Sequence, residues 1–87
     1  MVRVKKLTLD ILLPKEIHII ELSSAIASND GVDEVKTTVV EVDAKTETVK
    51  MEVYGSKIDY EEIFDVIREY GAVLRSVDEV IVSNESA

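Results

Sequence analysis

From Lys6 to Leu13 the chain alternates strictly by position. Leu7, Leu9, Ile11 and Leu13 fall on one side, and Lys6, Thr8, Asp10 and Leu12 on the other. A period of two is the signature of a strand with one buried face, so a first strand is predicted over 2–13. Pro14 ends it, because proline has no N–H for the ladder. After a connector over 15–18 the period changes. Ile19, Leu22, Ser23 and Ile26 are spaced i, i+3, i+4, i+7 and predict a helix to about Asn29. Asn29-Asp30-Gly31 is its stop signal. Residues 35–43 are rich in β-branched side chains and read as a second strand. Alternation returns over 48–54, with Val49, Met51 and Val53 on one side, and the polar turn 43–47 makes the two strands a hairpin. Gly55-Ser56-Lys57 breaks that strand. Asp59, with Glu62 three residues on, forms a capping-box pattern before a helix over 60–70 whose face is Ile63, Val66, Ile67 and Tyr70. Gly71 caps it, and 72–82 is the last strand. There Leu74 and Val77 both call for burial yet differ in parity, which a β-bulge would reconcile. The domain is expected to span 1–83, with 84–87 a frayed tail.

The order β-α-β-β-α-β is that of the ferredoxin-like α+β sandwich. Right-handed crossovers place strands 1 and 2 parallel with strand 3 between them, giving a sheet of order 4-1-3-2. Both helices then cover one face. By parity the other face carries Val2, Val4, Thr8, Asp10, Leu12, Lys50, Glu52 and Tyr54, and Thr38, Val40 and Val42 if strand 2 turns its even positions that way. A partly apolar sheet face on so small a domain calls for a covering partner or ligand. A homo-oligomer, ring or dimer, is therefore expected.

Composition narrows the chemistry. The 87 residues hold 18 Asp and Glu against 10 Lys and Arg, a net charge of −8, and no cysteine. Missing thiolates exclude disulfides, cysteine zinc sites, iron–sulfur clusters and the Cys-x-x-Cys copper chemistry this topology supports after its first strand. The acidic balance and the lack of strand aromatics other than Tyr54 argue against nucleic acid. No stretch approaches the roughly 18 apolar residues of a membrane span, and no signal-like apolar region follows the basic N-terminus, so a cytoplasmic protein is expected. The charge is also uneven: residues 1–15 carry +3 and the remainder −11. Arg3, Lys5 and Lys6 are accordingly expected near Asp78 and Glu79 on the neighbouring strand.

Carboxylates are the remaining candidates for a site. Glu41, Asp43 and Glu47 cluster at the hairpin and Asp10 is expected at the same end, an oxygen-rich set suited to Mg²⁺ or Ca²⁺. The alternative is a solvated hairpin rim, which Lys45 in the turn favours. Asp78, Glu79 and Tyr54 are candidate ligand or interface residues. His18 is the only histidine and reads as an exposed loop residue. Gly55-Ser56-Lys57 lacks the rest of a phosphate loop and reads as a turn. The expected function is a non-enzymatic oligomeric module binding a small ligand or divalent cation. A structural scaffold for a protein partner is one alternative, and an enzyme using paired carboxylates is another.

Several segments taken together resemble a small archaeal family of unknown function: Leu9-Asp10-Ile11-Leu12 with Pro14, Gly31-Val32 with Val35, Val40-Glu41-Val42-Asp43-Ala44-Lys45-Thr46-Glu47, and Gly71 with Ser76-Val77-Asp78-Glu79-Val80. The resemblance covers about 4–82. It implies a ferredoxin-like fold and ring-like oligomers, with no assigned activity. Asp10, Glu41, Asp43, Glu47, Asp78 and Glu79 match its pattern. Lys15 stands where that family tends to carry histidine, and His18 falls three positions later.

Overall fold

A computed structural model describes residues 1–85. Its elements are β1 (Val2–Pro14), α1 (Ile19–Ala27), β2 (Val32–Val42), β3 (Thr46–Gly55), α2 (Tyr60–Glu69) and β4 (Val73–Asn84). The sheet order is β2-β3-β1-β4, every neighbouring pair antiparallel, so β1 and β2 are parallel across β3. This is the expected ferredoxin-like arrangement. No described helix is long and apolar enough to cross a membrane.

The core is one layer between sheet and helices. Leu9, Ile11 and Leu13 on β1 and Val49, Met51 and Val53 on β3 are fully buried with Leu22 and Ile26 of α1 and Ile63 of α2. The two helices end differently. Asp59 accepts the Glu62 N–H at 3.2 Å, capping α2 as its sequence predicts. At the other end Ala72 N–H donates to Ile67 O and Gly71 N–H to Arg68 O, with Gly71 at φ +74°. That is a Schellman closure, and it turns the chain into β4. α1 starts at His18, whose side chain makes no cap hydrogen bond.

Strand length and helix length are mismatched. β1 has 13 residues, about 43 Å at 3.3 Å per residue. α1 and α2 have 9 and 10, each about 15 Å. The helices therefore leave much of the sheet uncovered, and the molecule measures 50 × 21 × 17 Å.

Bulges alter two expectations and meet a third. Between Val4 and Lys6 the β1–β4 register shifts, and Val4 packs on the core instead of on the open face. Between Val39 and Glu41 the β2–β3 register shifts as well, so Val42 lies opposite Glu47, the neighbour of Leu13, and joins the helix side. The conflict in β4 is resolved as anticipated: Arg75 and Asp78 are extra residues, which lets Leu74 pair with Ile11 and Val77 with Leu9 on the same face. The last strand also extends beyond 82. Asn84 pairs with Val2, and Glu85 exchanges backbone hydrogen bonds with Met1 at 2.8 and 2.9 Å, so residues 84 and 85 are not frayed. The rest of the expected tail, 86–87, lies outside the described residues.

Candidate functional site: a charged trough on the open sheet face

Opposite the helices, the sheet surface holds a trough of about 420 Å³ running from β2 to β4. β1 contributes Asp10, β2 Val40 and Glu41, β3 Thr48 and Lys50, and β4 Arg75 and Asp78. Each is on this face for a local reason. Asp10, Thr48 and Lys50 follow strand alternation, with Asp10 and Lys50 directly cross-strand. Glu41 shares parity with Val39 and would face the helices; the bulge at Val40 turns it over. Arg75 and Asp78 are themselves the bulged residues of β4.

The Arg75 guanidinium donates through Nη2 to Asp10 Oδ1 at 3.1 Å and to Thr48 Oγ1 at 3.4 Å. Guanidinium has five donor hydrogens, of which only those on Nη2 are engaged among the described residues, and the side chain is 43% exposed. Ser76 Oγ donates to Asp78 Oδ1 at 2.7 Å, holding that carboxylate at the rim. The trough is thus of mixed sign: three carboxylates and two cations.

The hairpin carboxylates do not converge. Glu41 and Asp10 share the trough. Glu47 pairs with Leu13 and Val42 and lines a separate depression with Lys15 and His18 on the helix side. Asp43 is at the hairpin tip, where its N–H donates to Thr46 O at 2.9 Å. Among the described residues no three of His, Asp and Glu gather as metal ligands would. Arg75 escaped the sequence reading; its signal was the parity conflict between Leu74 and Val77, since a bulged residue is re-aimed.

Further along the same face lies an ion-pair network. Lys6 Nζ is 2.5 Å from Glu79 Oε1 and 3.7 Å from Glu52 Oε1, and 5.3 Å from the Tyr54 ring centroid. Thr8 Oγ1 donates to Glu79 Oε1 at 2.9 Å, and Tyr54 donates to Glu52 at 3.3 Å. Hydrogen bonds from Lys6 and Thr8 hold the Glu79 carboxyl below its usual range, and the Glu79 hydrogen bond raises Lys6. Glu79 and Tyr54 therefore belong to this network. Of the three N-terminal cations only Lys6 meets the expected partner. Arg3 and Lys5 reach Glu85 at 3.6 and 2.7 Å, and the Lys5 hydrogen bond lowers that carboxyl as well. Asp78 takes part in neither set, because its bulge faces it into the trough.

The chain is similar to other proteins along nearly its full length. "Uncharacterized protein MJ0319" of Methanocaldococcus jannaschii is 34% identical over 82 residues, 94% of this chain and 84% of that relative. Residues 5–86 match the family described as DUF211, uncharacterized ArCR. The chain belongs to this archaeal family of small domains of unknown function.

Proposed function

We propose that the protein is a non-enzymatic, self-associating module that binds a small anionic or zwitterionic molecule in the open-face trough. The observation that carries this is Arg75, held by Asp10 and Thr48 with donors to spare. A carboxylate or phosphate suits a guanidinium fork, and Asp78 and Glu41 across the trough suit an ammonium group. The divalent-cation version has less support, since Lys50 and Arg75 stand among the carboxylates and repel a second cation. Acid–base catalysis by paired carboxylates draws on burial to split their pKa values. Here Thr8 is the one buried polar or charged residue among those described.

The test is thermal denaturation against millimolar panels of amino acids, small carboxylates, phosphate and Mg²⁺ or Ca²⁺. A ligand at one hundred times its dissociation constant stabilises by about 2.7 kcal/mol, or upwards of ~10 °C for a domain of this size. The expected result is a shift with an anionic or zwitterionic compound that Arg75→Ala abolishes. A shift unaffected by Arg75→Ala, or one produced by the metals alone, refutes the assignment.

A further inference from the structure

We infer, resting on the trough reading proposed above, that its ligand is an α-amino acid with a cationic side chain. The α-carboxylate lies on Arg75 and Lys50, the side-chain cation on Glu41 and the α-ammonium on Asp78.

Charge balance points to this class. Three carboxylates, Asp10, Glu41 and Asp78, stand against the two cations Lys50 and Arg75, so the trough carries one negative charge in excess. Its neighbours on the same face do not offset this. Glu52 and Glu79 are already matched by Lys6 and Lys36, and the whole chain has a net charge of −8. A simple anion enlarges the excess, and a neutral zwitterion leaves it as it is. A molecule with one carboxylate and two cationic groups cancels it.

The uncommitted groups are placed to the same pattern. Asp10 is engaged by Arg75 through one guanidinium nitrogen. Glu41, Lys50 and Asp78 make no ion pair among the described residues. The two free carboxylates stand on the outer strands, Glu41 on β2 and Asp78 on β4. Both cations stand over the inner strands: Lys50 on β3, and the Arg75 guanidinium against Asp10 of β1 and Thr48 of β3. Negative groups thus flank positive ones, the complement of a ligand with a cation at either end and a carboxylate between. Asp78 follows Arg75 by three positions on the same strand, which suits an α-ammonium beside the carboxylate.

The β2 end offers a surface for the stem. The register shift between Val39 and Glu41 leaves Val40 as an extra residue, 64% exposed and lining the trough beside Glu41. An aliphatic side chain held out next to a carboxylate suits methylenes that end in a cation.

Calorimetric titration with lysine, ornithine and arginine tests this. Norleucine serves as lysine without its distal charge, cadaverine as lysine without its carboxylate, and Nα-acetyl-lysine as lysine within a peptide. Lysine is expected to bind about five-fold tighter than norleucine, the upper range for one exposed charge pair, and tighter than cadaverine or the acetylated form. Glu41→Gln, with circular dichroism as the check on folding, is expected to bring lysine down to norleucine and leave norleucine unchanged. Equal binding of lysine and norleucine, or a Glu41→Gln loss shared by both, overturns the inference. Acetyl-lysine binding as tightly as lysine overturns the α-ammonium contact and makes a peptide C-terminus the ligand. Arg75-dependent binding of phosphate or glutamate without binding of lysine overturns the ligand class alone, leaving the trough reading standing. No binding by any of these at millimolar concentration overturns both.

Discussion

Two glycines in the left-handed region offer a clean comparison of backbone strain with steric exclusion. Gly31 has φ +88° and Gly71 φ +74°. A Cβ at Gly71 would meet nothing within 4 Å, whereas one at Gly31 would stand 2.0 Å from the Lys57 carbonyl oxygen. Alanine at either site takes on about 1–2 kcal/mol of left-handed strain, offset by ~0.4–1 kcal/mol from a less flexible unfolded chain. Gly71→Ala should therefore lose about 1 kcal/mol. At Gly31 the obstacle is backbone, which has no rotamer to escape into, so overpacking adds about 1–3 kcal/mol. The Ser56 N–H that donates to Gly31 O at 3.1 Å is also displaced, for roughly another 1 kcal/mol. Gly31→Ala is thus expected to lose about 3–5 kcal/mol, and Gly55→Ala, whose Cβ would stand 1.9 Å from Gly31 O but carries no left-handed strain, the overpacking part alone, about 1–3 kcal/mol. Urea denaturation of the variants at one matched protein concentration measures this, matched because association shifts apparent stability. Equal losses at Gly31 and Gly71 would refute the reasoning, since they would mean that φ alone sets the requirement and the close approach of the turn before β2 to the loop before α2 contributes nothing.

Other substitutions separate parts of the fold. Leu9→Ala, at a fully buried position, should lose about 2–5 kcal/mol in the same assay, while Val40→Ala, 64% exposed, should stay within ~0.5 kcal/mol. Asp59→Ala removes the side-chain acceptor of α2 and should cost about 0.5–2 kcal/mol, largely restored by serine. Glu79 has a lowered folded pKa, so its contribution is present above the unfolded value of about 4.3 and is lost as pH falls through the folded one. The stability gap between wild type and Glu79→Gln should therefore close on acidification below that value; a constant gap down to acid unfolding would contradict the Lys6–Thr8–Glu79 geometry.

The fold was legible because its burial pattern is redundant. Four consecutive odd positions from Leu7 to Leu13, mirrored by Val49, Met51 and Val53, define one buried sheet face, and the helix stripes through Leu22 and Ile63 supply its cover. The site was legible only where alternation is unbroken. Asp10, Lys50 and Tyr54 stand on the face that parity assigns them. Glu41, Val42 and Val4 do not follow parity, because a single extra residue inverts the face of all that follows until the next bulge. Nothing in the residue types at Val40 or Lys5 announces an insertion. At Leu74 and Val77 two apolar residues of opposite parity did, and that was enough to require a bulge without saying that Arg75 would be the residue thrown out.

The uncovered length of the sheet follows from chain length. Helices of 9 and 10 residues cannot span strands of 13 and 12. Val77 and Val80 stand clear for another reason: they lie on the outer strand, beside the buried Leu9 and Leu7 of β1. The charges are arranged to the same geometry. β1 is a central strand, so the cation Lys6 is flanked by Glu52 of β3 and Glu79 of β4, and the basic N-terminal segment is neutralised inside the sheet. Toward the trough no such balance is struck by register alone. Asp10 has Lys50 across from it on one side and neutral Ser76 on the other, and it is the bulged Arg75, not a cross-strand partner, that closes the pair. The bulge supplies the missing cation without taking Leu74 or Val77 out of phase with Ile11 and Leu9. Deleting Arg75 would leave Leu74, Ser76 and Val77 opposite Ile11, Asp10 and Leu9 in plain alternation, so it would remove the guanidinium while both apolar residues stayed on the core face.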